Sequence, residues 1–76
     1  MKSLLEFLVK NITGSNDFEV SENEQDTRVE LTIVANKEIV GLIIGREGKT
    51  IKNLRKIVSI PAVIAQKSVG ITVTEK

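Results

Sequence analysis

The chain reads as a two-layer α+β domain in the order α-β-β-α-α-β, a three-stranded sheet with its helices packed on one face. Three observations in the 76 residues predict it. The first half carries one helical stripe followed by two segments of apolar–polar alternation. The middle holds two helical patterns joined by a short glycine turn. What remains has room for only one more strand.

Met1 to Ile12 places Leu4, Leu5, Leu8 and Ile12 along one helical face, with Phe7 and Val9 flanking. Thr13-Gly14-Ser15-Asn16 stops this helix, Gly14 serving as its C-terminal cap. Asp17 to Ser21 alternates around Phe18 and Val20, and the acidic run Glu22 to Asp26 reads as an exposed hairpin connection. Thr27 to Ala35 alternates more clearly. Val29, Leu31, Ile33 and Ala35 face inward, and Arg28, Glu30 and Thr32 face out. Phe7 and Phe18 are both expected in the core.

Asn36 is placed to cap a helix from Lys37 to Ile44, with Glu38 near its positive end. Gly41 inside it costs about 1 kcal/mol relative to Ala, which implies a close approach there, by a neighbouring strand or by a bound base. A second helix starts at about Lys49, with Ile51, Leu54, Ile57 and Val58 as its apolar stripe. Pro61 should kink or end that helix near Ser59, which would cap a short continuation through Gln66. Val69 to Thr74 is the last strand, and Gly70 either weakens it or marks a bulge.

Between the two middle helices lies Gly45-Arg46-Glu47-Gly48. A glycine lacks the Cβ that would hold a ligand away from main chain, and it tolerates positive φ. The helix beginning at Lys49 aims free N–H groups and a positive dipole end at whatever rests on this turn. Lys49, Lys52, Arg55 and Lys56 add cationic side chains beside it. That combination suits a phosphodiester backbone.

Charge distribution agrees with this reading although the net charge is only +1. Residues 1–38 hold four Lys/Arg against eight Asp/Glu, a balance of −4, and residues 39–76 hold seven against two, a balance of +5. A chain so polarised can present one basic face to a polyanion. There is no Cys or His, so neither disulfides nor Cys-based zinc sites can form, and hydrolytic or metal chemistry has little to build on. No cofactor and no small-molecule substrate are expected. The longest apolar run, Ile39 to Ile44, is too short to span a bilayer. Met1 to Ile12 lacks the pattern of a secretion signal, so a cytoplasmic location is expected.

Ile44, Gly45, Gly48 and Ile51, supported by Val40, Gly41 and Ile43, form an I-G-x-x-G-x-x-I run that resembles the KH-domain signature. With only one strand after the loop, the resemblance is to the type II KH fold, one domain over residues 1–76. The whole chain is similar to the small bacterial single-KH proteins of the KhpA family. The motif match spans about Val40 to Arg55.

That resemblance implies a non-enzymatic protein that binds single-stranded RNA, acting as an RNA chaperone or post-transcriptional regulator. It also implies a second KH protein of the Jag type as a partner, and the weak grip expected of one short groove points to a homodimer or such a heterodimer. The site residues it designates are Val40, Gly41, Ile43, Ile44, Gly45, Arg46, Glu47, Gly48, Lys49, Ile51, Lys52 and Arg55. Glu47 departs from the family pattern by putting an acid in the turn, and Pro61 departs where a helix former is usual. With two Phe and no Tyr or Trp, stacking of bases on aromatic platforms is not the expected mode. The apolar run Ile57 to Ala65 exceeds one helical face, which points either to a partner surface or to burial against the sheet. The alternative function is a protein–protein adaptor that retains the fold.

Overall fold

The computed structural model describes residues 1–76. It contains α1 (Lys2–Thr13), β1 (Phe18–Glu24), β2 (Arg28–Ala35), α2 (Lys37–Ile44), α3 (Lys49–Ile64) and β3 (Ser68–Glu75), with a single 3₁₀ turn at Arg46–Gly48. The expected α-β-β-α-α-β order holds. β2 is central, antiparallel to β1 and parallel to β3.

Alternation in β2 does what the sequence requires. Val29, Leu31, Ile33 and Ala35 are all fully buried and meet Leu5 and Val9 of α1, Ile43 of α2, and Leu54 and Val58 of α3. Each fully buried Leu, Ile or Val contributes about 1.5–3 kcal/mol, so this line of contacts dominates the stability of a small domain.

α1 ends as predicted at Gly14, with φ 67° and its N–H donated to the Lys10 carbonyl at 2.8 Å. Phe7 is not in the core, being 64% exposed. The inward line of α1 runs through Leu5 and Val9, and Phe7 sits about half a turn away from both. Ile12, at the end of the helix, is also exposed, whereas Phe18 packs against the core as expected.

The first strand is longer than expected. Glu22, Asn23 and Glu24 pair with Leu31, Glu30 and Val29, leaving only Gln25-Asp26-Thr27 as the connection. Ladder bonds are made by main chain, so acidic side chains do not end a strand when they find partners. Glu22 accepts the Lys2 N–H at 3.0 Å and lies 3.7 Å from the Met1 ammonium, capping α1 from the sheet. Glu24 pairs with Lys67 Nζ at 3.0 Å.

Pro61 neither ends α3 nor splits it. The helix continues to Ile64, and Ser59, instead of capping a new segment, donates its hydroxyl to the Lys56 carbonyl at 2.7 Å. Pro61 lies in the final turn, where its missing N–H affects only the carbonyl four residues earlier. The Ala65 N–H still reaches the Pro61 carbonyl at 3.1 Å. Gln66, at φ 60°, then closes the helix: its N–H bonds to Val63 O, and the Lys67 N–H bonds to Ala62 O at 2.8 Å. This is a Schellman ending with Gln where Gly is usual.

β3 has no bulge at Gly70, and its register with β2 is unbroken.

Candidate nucleic-acid interface

α2 is aimed by its cap and its two buried residues. Asn36 Oδ1 accepts the Ile39 N–H at 3.0 Å, and Ile39 and Ile43 turn inward. Gly41 and Leu42 are therefore exposed, Val40 is half-buried, and Ile44 is 39% exposed. No atom lies within 4 Å of a Cβ built at Gly41. The neighbouring strand invoked for that glycine is absent, and the position opens to solvent.

Gly45 ends α2 with φ 74° and ψ 178°, a conformation essentially restricted to glycine. A Cβ there would lie 2.7 Å from Thr50 Cβ and 3.0 Å from Thr50 N. Glu47 (φ 57°) and Gly48 (φ 74°) continue in the left-handed region, and a Cβ at Gly48 would meet nothing closer than the Ile51 side chain at 3.9 Å. No side chain caps the N-terminus of α3, so the amide groups of its first turn have no side-chain competitor for a ligand.

Arg46, Lys49, Lys52, Arg55 and Lys56 are all exposed. None of them takes part in the four ion pairs of the molecule, which use Glu22, Glu30, Glu24 and Asp17 with other cations. Glu47 is exposed and unpaired too, so it does not bind up Arg46. Five free cations on one turn and its following helix, against the single acid Glu47, leave a net positive surface.

The structure thus brings the designated residues together, with one correction. Ile43 is fully buried. It supports the floor between the helices instead of lining it, because the cap at Asn36 fixes the rotation of α2. Val40 and Ile51 are half-buried, and with Ile44 they form the accessible apolar strip beside the turn.

A second part of the surface escaped the sequence. A groove of about 430 Å³ separates α3 from the start of β3, lined among others by Lys52, Arg55, Lys56, Ser59, Lys67 and Ser68. The i, i+4, i+7 spacing of Lys52, Lys56 and Ser59 was visible. Only the fold sets Lys67 and Ser68 opposite them.

Two helices joined by a G-x-x-G turn, packed on one face of a sheet in the order α-β-β-α-α-β, define a KH domain of the type II arrangement. The family model described as the KhpA/KhpB KH domain matches residues 2–73, and the chain belongs to that family. It is also 37% identical over 60 residues to the RNA-binding protein KhpA of Thermotoga maritima, covering 78% of this chain and 80% of that protein. No helix is long and apolar enough to cross a membrane, and no cluster of three or more carboxylates could hold a metal ion.

Proposed function

We propose that this chain binds short single-stranded RNA without catalysing a reaction on it. The observation that carries this reading is the Gly45–Gly48 turn, opened by a Gly45 conformation that only glycine adopts and lying beside five cations that form no ion pair. Main-chain N–H groups of the turn, with Arg46 and Lys49, position phosphates. Bases lie over Val40, Ile44 and Ile51, where the open space at Gly41 admits one edge-on. Lys52 and Arg55 flank the strand as it leaves the turn. The name of the Thermotoga relative, an RNA-binding protein, supports the same reading.

Contact with about four nucleotides is small, so a second groove would raise affinity through effective concentration. The surface of α3 supports such an assembly. Val58 and Ala62 face the sheet, while Ile57, Ile60, Val63 and Ile64 are 41%, 61%, 69% and 79% exposed. This stripe suits a second KH domain, in a homodimer or a heterodimer of the Jag kind. A weak, paired grip fits an RNA chaperone or post-transcriptional regulator.

Replacing Arg46 and Glu47 with two Asp tests the clamp. Binding to a pool of short single-stranded RNAs should fall at least tenfold while the circular dichroism spectrum persists. Unchanged affinity in a folded variant would move the function to the exposed stripe of α3, the adaptor reading.

A further inference from the structure

β3 is an edge strand, and Gly70 leaves a gap in its side-chain row. Gly70 stands beside Glu30 in the parallel register, on the sheet face that the helices do not cover. Into that gap lean two side chains of β2. Arg28 Nε donates to Glu30 Oε1, and the two form an ion pair. A Cβ placed on Gly70 would lie 2.6 Å from Arg28 Nη2 and 2.6 Å from Glu30 Oε2. One donor and one acceptor therefore lie side by side over the bare backbone of the edge strand. Arg28 Nη1 is further steadied by the Ser68 hydroxyl at 3.4 Å.

A cavity of about 290 Å³ opens there, lined by Arg28, Glu30, Gly70 and Thr72 of the sheet and by Arg55 of α3 among others. Arg55 also lines the larger α3–β3 groove, so the two hollows share a wall and run on from the basic helix to the strand edge. This space can hold a planar base between unpaired main-chain groups of β3 and the Arg28–Glu30 pair.

We infer that Arg28 and Glu30, presented across Gly70, read a guanine of the bound strand; this rests on the RNA-binding reading above. Guanine has two adjacent N–H donors, at N1 and N2, for the free carboxylate oxygen, and its O6 and N7 accept from a guanidinium. Uracil has one donor flanked by acceptors, and adenine and cytosine have no pair of donors on different ring positions. The charged pair belongs to the acidic half of the sequence, so it supplies selectivity where the glycine turn supplies grip.

The test uses the intact protein and labelled hexanucleotides, identical except for a single G, A, C or U, read by fluorescence anisotropy. The wild-type chain should prefer one G-containing register about tenfold or more, since a good bidentate base contact is worth about 1–3 kcal/mol of discrimination. Gly70→Ala keeps both charges but displaces both side-chain ends, and Glu30→Gln removes the acceptor charge. Each should collapse the preference to within about twofold while leaving affinity for the G-free strand and its salt dependence unchanged. A structural ion pair alone would not alter base preference.

Equal wild-type affinity for all four strands overturns the inference and leaves RNA binding standing, as does a preference that survives in both variants. Wild-type failure to bind any strand sinks the RNA-binding reading and this one together. Glu30→Gln, at a half-exposed position, keeps the test decisive should Gly70→Ala unfold.

Discussion

At the scale of single residues, the two glycines of the turn are not equivalent. Gly45 occupies a backbone region closed to other residues and has Thr50 pressed against it, whereas Gly48 has positive φ and room for a Cβ, which would meet Ile51 at an ordinary 3.9 Å. Gly45→Ala should cost about 3 kcal/mol or more, combining backbone strain with a collision on Thr50 Cβ, which sits at the root of its side chain and cannot swing away. Gly48→Ala should cost about 1 kcal/mol, the left-handed penalty alone. Urea unfolding of both variants measures the difference, and equal midpoints would contradict it. The need for glycine at both positions could be read from spacing. Their different reasons could not, because Thr50 meets Gly45 only after α3 has formed. Phe7 taught the reverse lesson: an aromatic next to a helical stripe need not belong to it, since rotation of the helix is set by Leu5 and Val9.

Among the elements, α2, β2 and the turn between α2 and α3 were legible because local signals agree there: a cap, a strict alternation, a glycine pair. β1 and α3 were misjudged at their ends. In β1, Glu22, Asn23 and Glu24 satisfy the ladder through main chain, and the two glutamates find distant cations, which no window of sequence displays. In α3, Pro61 falls late enough that twelve earlier residues, Lys49 to Ile60, have already established the helix. Restoring the missing N–H with Pro61→Ala should therefore stabilise the protein by about 1–2 kcal/mol, the regained bond exceeding the entropy returned to the unfolded chain. Thermal unfolding reads this out. A lowered midpoint would show that the half-buried ring packs more strongly than the lost bond costs.

Across the whole molecule, the ion pairs draw on acids of the first half and leave the cations of the turn and α3 untouched. Glu22, Glu24, Glu30 and Asp17 bind the Met1 ammonium, Lys67, Arg28 and Lys76. The cations of the turn and α3 stay free. RNA affinity should accordingly fall with salt at a log–log slope of about −2, from roughly 0.7 per neutralised phosphate over about three phosphates. A slope near zero would exclude phosphate contact as the main source of affinity. Assembly is tested separately. Ile60→Asp should leave the fold intact and shift sedimentation at high protein concentration from dimer to monomer, with weaker RNA binding. A wild-type chain that sediments as a strict monomer with full RNA affinity would remove the paired-groove proposal. Of this scale, the charge asymmetry was legible and the α3–β3 groove was not, because its walls lie on elements that only tertiary packing makes neighbours.

The parallel neighbour of β2 carries a consequence for biosynthesis. Ser68 stands next to Arg28 although 40 residues separate them. A ribosome therefore delivers the central strand long before the strand that covers its second side. Until then Val29, Leu31 and Ile33 belong to an unfinished barrier against water, and the nascent chain should resist protease only after Ile71 has emerged. Emergence of β3, and not the appearance of the glycine turn, would mark the moment this domain first becomes complete.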